Sequence, residues 1–542
     1  MTPRRSCSRC KPSRTYSSSR GIEEQAPVPL LLAPVAVDVH VRSERDLRGS
    51  FVARHLKVEV DVRQSSFNVW AHDSNGDYVF NGISGALLVI PSEKRHALEQ
   101  FIAGADTAEC DYALLHEMAV GHMIVPDEFD EVEFLRTRYV SGRDNTSTLG
   151  LTIVTSLGCN FACPYCFEQK TPSVMAASIQ DKVIELVESR AASLSGLAVT
   201  WFGGEPLLGK RVITRMTEGL RNACSAHGLK YSAGIITNGH LLDRATAKLL
   251  RECQVTSAQV TLDGPPLIHD KMRPLRNGLG TFDKILANIV TAVDYLNVDI
   301  RMNLALDNQD YYRELMTILD SAGLAGKVRL SAGHIVLSDD GWSPASRCQI
   351  SSLSQESFST IEQEFNECAR QMGFEAGSPP SPKGAPCTAV RHHDLVIGSR
   401  GELYKCWDDV GNPVSVIGNI ATGVVNDERA LKWANYDPFS NVDCRACIAL
   451  PVCMGGCAHH AMQASTYESK CGTFRYTHTR QVQVLGSAAR AAGMSGLIDA
   501  AALRKLTANR SARPIDLQLP NPSTRRSVNA LLEREAKPRQ PW

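Results

Sequence analysis

The strongest constraint on this chain is the loop Cys159-Asn160-Phe161-Ala162-Cys163-Pro164-Tyr165-Cys166, which follows the largely apolar run 149–154. Its thiols are spaced C-x3-C-x2-C. A closed structural zinc site takes four Cys or His ligands, and no fourth lies near in sequence. Soft thiolates suit an iron–sulfur cluster better. Three cysteines on four irons leave one iron open to another ligand, so the loop reads as chemical rather than architectural.

Seventeen cysteines in a chain without a secretory apolar region point to a reducing compartment, where clustered thiols bind metal rather than pair. A soluble, cytoplasmic protein is therefore expected. Lys+Arg and Asp+Glu both number 58, so charge gives no case for nucleic acid or an anionic membrane. The longest apolar stretches, such as 29–39, are short and broken by proline, which argues against a membrane span. A chain of 542 residues has room for about three domains.

Residues 1–50 begin Arg/Ser-rich, with no acidic residue before Glu23, and are expected to be disordered or poorly structured. An organelle transit peptide has a similar composition. Cys7 and Cys10 form a C-x2-C with no partner pair nearby. Residues 51–145 read as an α+β unit. The runs 67–70 and 78–80 flank Asp73-Ser74-Asn75-Gly76-Asp77, a hairpin signal, and Ser92 is the expected N-cap of a helix through Ile102. Further helices are expected over 108–120 and 127–139. Residues 146–376 alternate short β-type runs with helical periods, as in a parallel sheet. A helical pattern near Phe358 and Phe365 precedes the Gly/Pro-rich linker 377–384. Residues 385–475 hold Cys387, Cys406, Cys444, Cys447, Cys453, Cys457 and Cys471, and 496–542 read as a basic tail with a short helix over 528–535.

The C-x3-C-x2-C loop, with an aromatic before its last Cys, resembles the signature of the radical S-adenosylmethionine (SAM) superfamily. The resemblance implies an α/β fold with a partial (β/α)6 TIM-like barrel. It also implies a [4Fe-4S] cluster on Cys159, Cys163 and Cys166 whose open iron is chelated by SAM. Reductive cleavage then yields a 5'-deoxyadenosyl radical. Gly203-Gly204-Glu205-Pro206 resembles the family segment that contacts SAM, while Thr237, Asn238 and Asp263 sit in segments similar to strand ends lining the SAM pocket or substrate channel. Arg301 and Asn303 are further candidates for the pocket. The seven later cysteines resemble the SPASM domain of peptide maturases. By that resemblance Cys387, Cys406 and Cys457 hold one auxiliary [4Fe-4S] cluster and Cys444, Cys447, Cys453 and Cys471 another, three clusters in all. Residues 51–145 are similar to the winged-helix-like peptide-recognition element of such maturases.

The implied activity is oxidation of a ribosomally made peptide to a thioether or other cross-link. The implied partners are that peptide or protein and an external one-electron reductant such as flavodoxin or ferredoxin, with no nucleic acid and no membrane. The first auxiliary group lacks a fourth cysteine; either a substrate thiolate occupies its open iron, or Cys348 or Cys368 folds back to it. Asp408 is the candidate proton acceptor there. An anaerobic sulfatase-maturing enzyme, which makes formylglycine, is the rival reading, and a non-catalytic iron–sulfur carrier or peptide-binding scaffold is the alternative from another class.

Overall fold

The computed structural model describes residues 62–508, apart from 75, 103–110, 338–340, 342 and 426. Cys7, Cys10, Cys110 and the expected helix 528–535 lie outside the described residues. The strands in chain order are β1 Val62–Gln64, β2 Asn68–Asp73, β3 Gly76–Asn81, β4 Leu87–Ile90, β5 Ile124–Pro126, β6 Thr148–Ser156, β7 Gly196–Gly203, β8 Lys230–Thr237, β9 Val255–Thr261 and β10 Asn297–Leu304. They continue as β11 Val328–His334, β12 Glu375–Ala376, β13 Leu395–Ile397, β14 Glu402–Tyr404, β15 Gly418–Asn419, β16 Gly423–Val424 and β17 Gly496–Ile498.

The α/β expectation is met in the middle of the chain. Strands β6 to β11 pair in sequential order, all parallel, with β12 parallel at one end and β13 parallel to β6 at the other. A helix follows each strand from β6 to β11: Ala177–Arg190, Lys210–Ala226, Arg244–Glu252, Phe282–Ala292, Tyr312–Ser321 and Gln355–Gln371, with the shorter Pro266–Met272 preceding the fourth. Six consecutive β/α units make a partial barrel. Parallel strands covered on both faces read as continuous apolar runs, and residues 151–156 of β6 are all buried. Leu151, Ile153, Val199, Trp201, Ile235, Val260 and Ile300 share one core with the inner faces of the helices. Those faces are set by apolar spacing, and Asp243 and Ser354 begin two of the helices by accepting from the backbone of Thr246 and Ser357.

The first unit is a four-stranded antiparallel sheet in the order β17-β4-β3-β2, beside the pair β1-β5. The expected hairpin is β2–β3, with Asn68 opposite Asn81 and Asp73 opposite Gly76. Two readings shift. Ser92 does not cap the helix: Pro91 precedes a 3-10 turn Ser92–Lys94 without offering a side-chain acceptor, and the α-helix begins at Arg95. The helix expected over 127–139 runs Glu131–Asp144, because the Asp130 carboxylate accepts from Val132 and Glu133 and fixes its start.

The stretch read as a tail from Gly496 begins with structure. Strand β17 pairs Gly496 with Val89 and Ile498 with Leu87, and the helix Ala500–Ala508 follows it. Ile498 and Leu503 are buried with Val69, Tyr78 and Phe80 against Val482 and Leu485 of the helix Phe474–Ala491. The N-terminal sheet thus shares its core with the C-terminal part of the chain. No described helix is long and apolar enough to cross a membrane.

Candidate functional site

A cavity of about 1650 Å³ opens at the C-terminal ends of the barrel strands, where parallel barrels place their chemistry. Cys159, Cys163 and Cys166 line it, and so do Cys387, Cys406, Cys453, Cys457 and Cys471. Cysteine systems about 220 residues apart in sequence therefore face one chamber. Residues 377–381 of the expected linker also form part of its wall.

The Cys159 loop is held from below by the segment Gly203 to Pro206. A Cβ on Gly203 would lie 2.2 Å from the Ser156 carbonyl, and one on Gly204 would lie 2.7 Å from the Gly158 carbonyl. The glycines are required by close approach to the backbone that leads into Cys159, and both still border the cavity. Gly204 N–H donates to Ser156 O at 3.0 Å and Glu205 N–H to Gly158 O at 2.9 Å.

Glu205 is fully buried and does not line the chamber. Its carboxylate accepts from Leu207 N at 2.9 Å, Thr237 Oγ1 at 2.7 Å and Asn238 N at 2.8 Å. Pro206 is buried beside it, at the start of a 3-10 turn. Thr237 and Asn238 border the cavity. Asn238 Nδ2 donates to Asn160 Oδ1 at 2.8 Å and lies 3.8 Å from Cys159 Sγ, so it ties the end of β8 to the thiol loop.

Asp263 is also fully buried rather than part of the wall. It accepts from the Tyr165 hydroxyl and from Asn303 N at 2.9 Å, with Arg273 Nη1 3.7 Å away. Arg273 Nη1 donates to Tyr165 Oη at 2.6 Å. Tyr165 is the aromatic before the last loop cysteine, so this network anchors the loop to β9 and β10.

Sequence reasoning passed over two charged groups just after the loop. Glu168 is 3% exposed, and its Oε1 has no hydrogen-bond partner among the described residues although the side chain borders the cavity. Burial pushes its carboxyl up to about 8, opposed by Lys170 and reinforced by Asp408 and Glu205. Lys170 sits within the fields of Cys159, Cys163, Cys166 and Glu168 and donates from Nζ to Phe161 O at 3.2 Å. Burial pushes the Cys166 thiol up to about 12. The only sequence signal for these residues was two charges directly after a cysteine motif.

Several of the seven later thiols act on one another through their charges. Burial and then the charges of Asp408, Asp409 and Cys457 act on Cys406, while Cys457 also acts on Cys387. Cys471 and Cys447 act on both Cys444 and Cys453. Neither candidate fourth ligand joins Cys387, Cys406 and Cys457 at the cavity. Cys368 Sγ accepts from Arg313 Nη1 at 3.3 Å on the outer helices, and Cys348 lies beside Ala345 and Ile350; neither borders the cavity. Asp408 borders the cavity, and its charge acts on both Cys406 and Glu168. Trp407 beside it is 42% exposed and stacks on Phe202 at 6.1 Å. Among the described residues, no three His, Cys, Asp or Glu side chains are drawn together as a site for a single metal ion.

Residues 153–319 match the family model of the Radical SAM superfamily. A serine-type anaerobic sulfatase-maturating enzyme of Klebsiella pneumoniae is 26% identical over 345 residues, spanning 59% of this chain and 83% of that enzyme. A cysteine-type anaerobic sulfatase-maturating enzyme of Clostridium perfringens is 32% identical over 139 residues, 24% of this chain and 36% of that one. Among solved structures, Streptococcus suis SuiB bound to precursor peptide SuiA aligns at 12% identity with a TM-score of 0.43, covering 76% of this chain and 99% of that chain.

Proposed function

We propose, from the premise that the chain is a radical SAM enzyme, that it oxidises a side chain of a peptide or protein substrate, with a thioether or other cross-link as the favoured product. The observation that carries this reading is the single chamber shared by the Cys159 loop and the later cysteines. Pockets for small ligands run to roughly 300–1,000 Å³. At about 1650 Å³ this one has room for a nucleoside cofactor and a peptide segment together.

The donor set suits the implied clusters. Cys159, Cys163 and Cys166 offer three soft thiolates beside Lys170, whose positive charge offsets theirs. Cys387, Cys406 and Cys457 would hold one auxiliary cluster, and Cys444, Cys447, Cys453 and Cys471 another. A cluster held by Cys159, Cys163 and Cys166 would, with SAM bound, supply the electron that cleaves the sulfonium and yields a carbon-centred radical able to remove a hydrogen atom. This chain's residues do the rest. Glu205 and Asn238 fix the loop, Tyr165 and Arg273 lock its far side, and Phe202 with Trp407 walls the chamber toward the later cysteines, limiting water near a reactive centre. Asp408, which borders the cavity, is the proposed acceptor of the proton that leaves the oxidised substrate. With no fourth cysteine at the first auxiliary group, a substrate thiolate is its proposed occupant. The sheet of β2 to β4 is the proposed element for peptide recognition.

Formylglycine formation is the second reading, favoured by the Klebsiella relative that spans 59% of this chain. Both readings are tested by incubating the reduced, reconstituted enzyme with SAM and Cys- or Ser-containing peptides and weighing the products. A cross-link removes two hydrogens and keeps the sulfur, whereas formylglycine made from Cys loses the sulfur. Formation of 5'-deoxyadenosine with every peptide unaltered would end the peptide assignment.

A further inference from the structure

Arg301 lies on β10, at the last position of its pairing with β9, and borders the reaction chamber. Its guanidinium rests over the neighbouring strand: a Cβ on Gly333 would come within 2.3 Å of both Nε and Nη2 and 2.5 Å of Cζ. A side chain at position 333 would push the guanidinium aside, so Gly333 leaves open the space in which this cation rests. Nε donates to Asn303 Oδ1 at 2.8 Å, and Asn303 Nδ2 lies 3.4 Å from the Tyr165 hydroxyl. The guanidinium is thus two hydrogen bonds from the Cys159 loop.

The opposite edge of the guanidinium is uncommitted. Among the described residues Arg301 makes no other hydrogen bond, and no carboxylate lies within 4.0 Å of it. The acids whose fields reach it are engaged elsewhere. Asp263 is held by Tyr165 and Arg273, Asp299 accepts from Ser331 Oγ at 2.6 Å, and Glu362 accepts from Thr473. A guanidinium that borders the chamber with Nη1 and Nη2 free of hydrogen bonds among the described residues can pair with the two oxygens of a carboxylate.

We infer that Arg301, seated over Gly333, binds a carboxylate inside the reaction chamber and so selects substrates with an acidic group near the oxidised residue. The inference rests on the peptide-oxidising reading given above. A peptide supplies such a group from Asp, Glu or its C-terminus; SAM also carries a carboxylate, and the experiment separates these sources. No electron or proton passes through Arg301, which is a specificity-determining residue.

The test passes a randomised peptide library, built around a fixed Cys or Ser, over reconstituted wild type, Arg301→Gln, Arg301→Lys and Gly333→Ala, each immobilised without oxygen and checked for fold by circular dichroism. The retained peptides are read by mass spectrometry, and the KM for SAM is measured from 5'-deoxyadenosine release without peptide. A charge-assisted pair contributes about tenfold or more in affinity. Wild type is therefore expected to enrich Asp or Glu near the fixed residue. Arg301→Gln should lose that enrichment by about tenfold, with Arg301→Lys partly restoring it. Gly333→Ala, which keeps the charge but displaces it, should lose it as well. A KM for SAM raised by about tenfold in Arg301→Gln, with the library profile kept, would assign the carboxylate to SAM. Wild-type retention without acidic preference, or the same preference and the same KM in Arg301→Gln, overturns the inference. If wild type releases no 5'-deoxyadenosine, the broader reading fails instead.

Discussion

Replacing Glu205 with Gln is expected to loosen the Cys159 loop from beneath without touching a thiol. In the native chain one carboxylate oxygen accepts from Leu207 N at 2.9 Å and Thr237 Oγ1 at 2.7 Å, and the other from Asn238 N at 2.8 Å. A glutamine has one acceptor oxygen, so an NH2 must face at least one of these donors. Losing a hydrogen bond to a charged acceptor and leaving its buried donor unpaired costs about 1.5–3 kcal/mol. The remaining bonds weaken because charge-assisted bonds are roughly twice as strong as neutral ones. Burial opposes the native charge, which pushes the Glu205 carboxyl up, and removing that charge offsets part of the loss. A net destabilisation of about 2 kcal/mol remains. It is measured as a lower guanidinium midpoint followed by tryptophan emission, to which Trp201, fully buried four residues upstream, contributes. Since Asn238 carries the contact to Asn160, the KM for SAM should rise by roughly tenfold, the equivalent of about 1.4 kcal/mol. Stability within about 0.5 kcal/mol of wild type, with an unchanged KM, would refute this account of Glu205.

Gly456→Ala should lower the iron bound per chain while 5'-deoxyadenosine formation persists, since φ there is +72° and the new Cβ would lie 2.0 Å from the Lys470 carbonyl, next to Cys457 and Cys471; unchanged iron by colorimetric assay would contradict it. Deleting residues 1–145 strips Val69, Tyr78 and Phe80 from Leu485 and Phe474, so helix Phe474–Ala491 should become sensitive to limited proteolysis while the separate barrel core resists. The same truncation should weaken peptide binding if the β2–β4 sheet recognises substrate, and undiminished affinity would exclude that role.

Local spacing carried most of what was legible. The C-x3-C-x2-C loop, the alternation of strands and helices and the strand ends near Gly203, Thr237 and Asp263 all depend on residues a few positions apart, and all converge on one end of the barrel. What was not legible depends on partners distant in the chain. Gly203 and Gly204 announce close approach, but only the fold shows that they approach residues 156–158. A carboxylate at a strand end looks like a ligand contact until Thr237 and Asn238 are seen to use it fully, as with Glu205. Gly333 carries no signal of its own; it acquires meaning from Arg301 on the adjacent strand. Strand β17 has only three residues, too few for a periodic pattern, and is fixed by pairing with β4, some 400 residues earlier.

The central claim, that Cys159, Cys163 and Cys166 hold the cluster that cleaves SAM in a chain carrying three such clusters, is tested most directly by anaerobic reconstitution of wild type and the Cys159→Ala, Cys163→Ala, Cys166→Ala triple variant, with iron and 5'-deoxyadenosine measured on the same samples. Wild type is predicted to bind about 12 irons and release 5'-deoxyadenosine after reduction, and the triple variant to bind about 8 and release none. Zinc as the main bound metal in wild type, or SAM cleavage surviving the triple substitution, would contradict it.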